Sequence, residues 1–265
     1  MMANECQSTP DEIKTKLNAC PNNSFSIIHF NCRSLNRNYF EIENLLCSLN
    51  FTFDIIGLSE TWLKNDMLPN NIFNDYKYVG LGRSEKQGGG IGFGIKNNIE
   101  YKIRDDLNVF NNICESCFIE ILKAGKNIIL GVFYRPPENS VIQFIHVIKD
   151  ILEKINLEHK DCMFMGDYNI DFKKIDQLNY VNEFLETLSS FSFHPLITSP
   201  TRITQTTATL IDNIFGNNSN DLIFGSIICD ISDHFPIFSL FDYSLPCANR
   251  KHFKRQINDS NLIKW

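Results

Sequence analysis

Apolar residues fall into short, dense runs separated by polar stretches. Runs of roughly four to eight such residues predict strands buried on both faces. Three stand out: Ser24–Phe30 (SFSIIHF), Phe53–Leu58 (FDIIGL) and Cys162–Met165, which leads into Gly166-Asp167. Asp75–Gly80, the alternating IGFGI segment, Ile99–Ile103, Glu115–Leu122 and Lys126–Tyr134 predict a strand-rich middle. Ala208–Phe215, Leu222–Cys229 and Pro236–Phe241 predict three more strands. Helical periodicity marks Asn38–Leu49, with Phe40, Ile42, Leu45, Leu46 and Leu49 on one face. It marks Ser140–Leu157 more strongly, through a stripe of Ile142, Ile145, Ile148, Ile151, Leu152 and Ile155. Leu178–Leu188 is a further amphipathic helix. Strands outnumber helices, and the helices lie between buried strands. The pattern predicts one α/β domain of two packed sheets with helices outside.

Both ends depart from this pattern. Residues 1–23 are polar, carry Pro10 and Pro21, and read as a flexible leader. Glu5, Asp11, Glu12, Lys14 and Lys16 leave no apolar segment there for a signal peptide. Residues 244–265 carry the basic run Asn249–Arg255 and read as a basic tail or the start of a linker. The domain itself is assigned to residues 24–243.

Composition narrows the functional classes. The chain has 265 residues, 43% of them hydrophobic, enough for a sizeable core. No apolar run reaches the roughly 18 residues of a membrane helix, so no membrane partner is expected. Lys and Arg number 25 against 31 Asp and Glu, giving a net charge of −6. That argues against binding nucleic acid through bulk charge, but not against a nuclease with local basic loops. Nine cysteines are scattered, and only Cys114 and Cys117 have C-x-x-C spacing. With no second ligand pair they read as reduced thiols of an intracellular protein rather than a zinc site.

Polar residues recur just past the ends of apolar strands: Asn31, Glu60, Tyr134, Asp167 with Asn169, and Asp233 with His234. Loops held by a rigid sheet are where catalytic groups concentrate. Hard divalent cations take carboxylate oxygens, and Glu60 and Asp233 are candidates. Asp167 and Asn169, two apart, project to one side if extended and suit the activation of a water. His234, Tyr134 and Asn31 can donate to charge developing on a phosphoryl group. Asp212 is a plausible partner to orient His234. The Gly88-Gly89-Gly90 run lacks the Lys-Ser/Thr of a P-loop and reads as a turn.

These residues sit in words that resemble one family. SIIHFNCRSL (Ser26–Leu35), DIIGLSETWL (Asp54–Leu63), GGGIGF (Gly88–Phe93), VFYRPP (Val132–Pro137), GDYNID (Gly166–Asp171), SPTRITQTTATLIDNIF (Ser199–Phe215) and SDHFPI (Ser232–Ile237) occur in the family's order. The sequence resembles the endonuclease/exonuclease/phosphatase superfamily, and within it the apurinic-like endonuclease domain of jockey-like non-LTR retrotransposons. Tyr168 stands where relatives usually have Phe, and Ser59 where they often have Thr.

The resemblance implies a four-layer α/β sandwich with the site on one rim between the sheets. It implies Glu60 as principal metal ligand, Asn31 near metal and phosphate, and Asp233 at the metal or leaving group. Tyr134 would contact the scissile phosphate. Asp167 would activate water oriented by Asn169, and Asp212 would hold His234 against the phosphate. Thr201 and Arg202 fall where relatives contact DNA, and the loop cations Arg33 and Arg135, with Arg37, Arg83 and Lys86, could supply local contacts to double-stranded DNA. The implied cofactor is Mg²⁺, with Mn²⁺ as the alternative ion. The implied reaction nicks DNA to leave a 3′-hydroxyl and a 5′-phosphate, as in target-primed retrotransposition. A covalently linked reverse transcriptase is the expected partner and the nucleus the expected place of action. The alternatives are a small-molecule or abasic-site phosphodiesterase of the same superfamily, and an inactive remnant that serves as a binding module.

Overall fold

A computed structural model describes residues 4–21, 24–84, 87–122, 127–217 and 221–242. Lys86 and the basic tail 244–265 lie outside them. The chain runs β1 (Asn4–Ser8), α1 (Pro10–Asn18), β2 (Ser24–Asn31), α2 (Leu35–Ser48), β3 (Ile55–Ser59), β4 (Asn71–Ile72), β5 (Tyr76–Leu81) and β6 (Ile91–Lys96). It continues with β7 (Tyr101–Ile103), β8 (Val109–Phe110), β9 (Glu115–Ile121), β10 (Ile128–Tyr134), α3 (Val141–Glu158) and β11 (Asp161–Asp167). After α4 (Asn179–Ser190) come β12 (His194–Pro195), β13 (Arg202–Ile203), β14 (Ala208–Thr209), β15 (Asp212–Gly216), β16 (Asp221–Ile227) and β17 (Ile237–Asp242).

Two mixed sheets result. One has the strand order β1-β16-β17-β2-β3-β6-β5-β4. The other has the order β12-β15-β11-β10-β9-β7, with β8 also paired to β9. Side chains alternate along each strand, and the alternation separates the layers. Ile27 and Ile55 face the second sheet, in one core with Val132 and Met165. Their neighbours Ile28 and Ile56 face outward, against Ile13 and Leu17 of α1 and Ile42 and Leu45 of α2. On the far side Phe144, Ile148 and Leu152 of α3 and Phe184 of α4 cover the second sheet. The order is helix, sheet, sheet, helix, the four-layer sandwich expected. Gly57 lets the sheets approach closely, because a Cβ there would collide with Met165 of the facing sheet.

Three expectations change. Residues 4–18 of the segment read as a flexible leader are part of the fold. Its strand β1 pairs in parallel with β16, and α1 buries Ile13 and Leu17. The polar pattern concealed this because a short edge helix buries only two apolar residues. Helix α2 begins at Leu35, capped by Ser34, and Asn38 is non-helical (φ −104°, ψ 15°); only the regular half showed in the periodicity. In α3 the buried stripe contains Phe144, while Ile142 is 42% exposed. Cys114 and Cys117 are buried free thiols. A three-residue separation near a strand directs their side chains to opposite faces.

An ionic network centred on the buried Arg104 and Glu120 joins β9, the end of α3 and the chain after β7. Arg104 donates to Glu120 at 3.0 Å, to Asp106 at 2.7 Å and to Glu158. Lys160 bridges Glu120 and Glu158, at 2.7 Å from each. Burial opposes the charge of Glu120, but hydrogen bonds from Lys160, Asn127 and Lys102 pull its pKa down to about 2. Glu158 and Asp106 are shifted down as well. Carboxyls depressed in the folded state stabilise it above their unfolded pKa, near 4.3 for Glu, and lose that contribution as pH falls toward 2. The network's contribution to the melting temperature should therefore be complete above about pH 5 and be lost on acidification. In Glu120→Gln the acid-side slope should be shallower, which thermal melts across the pH range will measure.

Candidate active site at the strand ends

The parallel pairs β2–β3 and β10–β11 deliver their C-terminal ends to one rim. Register sets Asn31 opposite Ser59, Tyr134 opposite Asp167 and Asp167 opposite Asp212. The turn into β17 brings His234 to the same place. Backbone pairing continues past the strand ends: the amide of Cys32 donates to Ser59 O at 2.8 Å and that of Ser34 to Glu60 O at 3.0 Å. The glycine turn seals this loop, with Thr61 N donating to Gly90 O at 3.1 Å and Trp62 N to Gly89 O at 2.9 Å. Gly90 has φ +83°, and a Cβ there would also meet Thr61. Arg33, Ser34, Glu60, Trp62 and Asn169 all carry positive φ. Non-glycine residues in that region persist where the surroundings over-determine them, and they cluster at functional sites.

The side chains form two linked sets. In the first, Asn31 Nδ2 donates to Glu60 Oε1 and to Asp167 Oδ2, both at 2.9 Å. Asp167 Oδ1 accepts the amide of Asn169 at 2.8 Å. The Asn169 side chain bonds Asp167 Oδ2 at 3.3 Å and Arg135 O at 2.8 Å. Trp62 Nε1 reaches Glu60 Oε2 at 3.4 Å. In the second, His234 Nδ1 lies 2.9 Å from Asp212 Oδ2, and Thr201 Oγ1 donates to that same oxygen at 2.8 Å. Atoms of Asp167, Asp212 and His234 all lie within 4.8 Å of one another.

Their charges are strongly coupled. Burial, then repulsion from Asp212, push Asp167 up to about 7, against the pull of His234 and the Asn169 amide. Burial disfavours a charged His234, but Asp212, with Asp167 and Asp233 adding, outweighs it and raises His234 to about 9. His234 is thus an imidazolium at neutral pH. Burial raises Tyr134, with Glu60 and Asp167 adding to the shift, so its hydroxyl stays protonated and able to donate.

The sequence-predicted residues come together, but several in different roles. Asp233 is held between Arg33 NH1 at 2.6 Å and Arg202 Nε at 2.8 Å. Burial opposes its ionisation, yet these two cations bring it down to about 2. Both its oxygens are engaged, so Asp233 is not presented as a free metal ligand. Arg135, expected at DNA, is 3% exposed. It donates to the carbonyls of Tyr168 and Asn169 at 2.7 Å, Asn139 at 2.8 Å and Pro136 at 3.2 Å. It holds the Asp167–Asn169 loop instead of facing outward. Thr201, also expected at DNA, is fully buried against Asp212. Arg33 and Arg37 are exposed, and Arg202 is half-buried. Sequence reasoning missed the buried Glu115, which accepts from Arg83 Nε at 2.5 Å and from Gly90 N at 2.7 Å. Its position at the start of the predicted strand Glu115–Leu122, a polar residue at a strand end, was the available signal.

The profile of the Endonuclease/Exonuclease/phosphatase family matches residues 28–234. The chain belongs to that family. A search of curated proteins finds no match. Solved structures share the fold at low identity. The endonuclease domain of TRAS1, a telomere-specific non-LTR retrotransposon, is 17% identical with TM-score 0.64, covering 82% of this chain and 98% of its own. The AP endonuclease LMAP from Leishmania major is 13% identical with TM-score 0.66, covering 89% and 96%. The 3′ phosphatase NExo from Neisseria, bound to a product DNA hairpin, is 15% identical with TM-score 0.60, covering 83% and 100%.

Two substitutions test the reassigned roles. Arg135→Met keeps bulk but strips four carbonyls of their donor, and should lower unfolding stability by more than about 2 kcal/mol. Thr201→Val leaves the buried amides of Ile211 and Asp212 without the Oγ1 acceptor they use, at about 1–3 kcal/mol. Urea unfolding measures both; losses below about 0.5 kcal/mol would return these residues to the surface role.

Proposed function

We propose that the chain is a divalent-metal-dependent DNA endonuclease that leaves a 3′-hydroxyl and a 5′-phosphate. The observation that carries this is the rim constellation, in which Asn31 joins Glu60 to Asp167 beside the Asp212–His234 pair. Asp167 would take the proton of the attacking water, and Asn169 would help fix its carboxylate. The His234 imidazolium and the Tyr134 hydroxyl would donate to the phosphoryl oxygens as charge grows on them.

The residues present also fit a hard cation. Asp212 Oδ1 is a buried oxygen without a hydrogen-bond partner, and it lies beside a second buried carboxylate. Glu60, Asp167 and the Asn31 side-chain oxygen supply the hard donors that Mg²⁺ or Mn²⁺ prefers. Such an ion, when bound, supplies Lewis-acid stabilisation of phosphate charge.

An extended substrate suits the surroundings better than a small phosphoester does. An open groove of about 580 Å³ runs from Tyr134 along Arg83, Gly88, Gly89, Asn111 and Asn139. The words SETWL, YRPP and SPTRIT favour a mobile-element endonuclease, and the TRAS1 domain, like the AP endonuclease LMAP, shares the fold. On that reading the partner is a linked reverse transcriptase, the site of action is the nucleus, and the new 3′-hydroxyl primes synthesis.

The test is supercoiled plasmid with Mg²⁺ or with EDTA. The intact chain should convert plasmid to open circle only with Mg²⁺. His234→Ala and Asp167→Asn should each lose at least about a hundredfold in rate while still unfolding cooperatively. Calorimetry should show weaker Mg²⁺ binding by Glu60→Ala. A cooperatively melting chain that nicks nothing would favour the non-catalytic remnant, or a soluble phosphoester if a phosphate-release screen responds.

A further inference from the structure

The first strand reaches the catalytic rim from the opposite end of the sequence. β1 lies at the edge of its sheet, in parallel register with β16: Glu5 sits opposite Phe224 and Gln7 opposite Ser226. Residues two apart on a strand point to the same side. Both Glu5 and Gln7 therefore point at the segment 198–200. Glu5 Oε1 accepts the backbone amides of Thr198 and Ser199, each at 2.9 Å. Its other oxygen accepts the Thr198 hydroxyl. Gln7 Nε2 donates to Pro200 O at 2.9 Å. Three consecutive residues are thus fixed by two side chains of one strand.

The fourth residue is Thr201. Its hydroxyl donates to Asp212 Oδ2, which His234 Nδ1 also approaches at 2.9 Å. Its carbonyl accepts the amide of Phe235, next to His234, at 2.6 Å. Pro200 cannot absorb displacement by rotating about φ, because its ring fixes that angle. A shift of residues 198–199 has that one torsion fewer in which to relax before it reaches Thr201 and the imidazole.

We propose that Glu5 is a positioning residue for the Thr201–Asp212–His234 chain, so that the amino-terminal strand is part of the catalytic apparatus. The kinetic consequence rests on the endonuclease reading above; the geometric one does not. Charge-assisted bonds to two amides are stronger than neutral ones. A misplacement of about 1 Å at a reacting group can reduce rate a hundredfold.

The experiment uses the full chain with Glu5→Ala, Glu5→Gln and Gln7→Ala. The low-field proton NMR resonance of His234 Nδ1–H, assigned by its loss in His234→Ala, reports the hydrogen bond to Asp212 directly. Plasmid nicking with Mg²⁺ gives kcat and KM. Glu5→Ala should shift that resonance and lower kcat about tenfold, with KM nearly unchanged. Glu5→Gln, which keeps one acceptor oxygen, should restore part of both. A lower melting temperature with unchanged resonance and kcat would overturn the proposal and leave β1 as edge packing. Should Glu5→Ala fail to fold, an unmoved resonance in both Glu5→Gln and Gln7→Ala would overturn it equally. If the wild-type chain nicks nothing, the endonuclease reading falls, and the resonance alone decides the role of Glu5.

Discussion

The Asn31 amide spends one hydrogen on each sheet. It donates to Glu60, at the end of a strand beside its own, and to Asp167, at the end of a strand in the facing sheet. Everything else at the rim depends on this bridge having the right span. The span is set below it, in the apolar core. Gly57 lacks a side chain where Met165 crosses from the other sheet, and Ile27, Ile55 and Val132 fill the space around them. Register sets it as well. Asn31 shares its face with Ile27 and His29, so a one-residue slip of β2 would turn its amide toward the helices.

That bridge also fixes the electrostatics. Asp167 and Asp212 are both buried and near each other, an arrangement that disfavours two ionised carboxylates. The fold answers with donors: the Asn31 amide and the Asn169 backbone at Asp167, and His234 with Thr201 at Asp212. The two carboxylates are treated differently as a result. Asp212 is committed to the imidazole, which is raised to about 9. Asp167 is pushed up to about 7, near neutral pH, which suits the proton-accepting role proposed for it. A general base is most effective there.

The fold class and the rim residues were legible in the sequence because they rest on short-range signals. A buried strand reads as an apolar run, and the polar residue that ends it reads as a rim group; Asn31, Glu60, Asp167 and His234 follow that grammar. What was not legible depended on where a side chain turns. Arg135 follows Tyr134 at a strand end and suggests a cation facing substrate. Its guanidinium instead folds back onto four carbonyls, because the loop it holds comes from a strand some thirty residues later. Thr201 and Asp212 are brought together by the β13–β14 hairpin, whose pairing leaves no periodicity. The amino-terminal strand was concealed for another reason. As an edge strand with polar side chains directed at a loop, β1 carries little of the apolar signature from which strands are read.

The placement of charge bears on how a net-acidic chain could meet DNA. Arg33 and Arg202 converge on Asp233, and Arg83 on Glu115. None of these guanidiniums is a free cation awaiting phosphate. Their planes are already fixed by carboxylates, and each keeps some exposed surface, Arg33 the most at 47% of its side chain. A phosphodiester arriving at the rim would share these cations with their carboxylates rather than meet an open positive field. Binding of that kind gains little from bulk attraction and gains more from fit. It agrees with a net charge of −6; on the proposed reading, DNA would be selected by the shape of the rim more than by its charge.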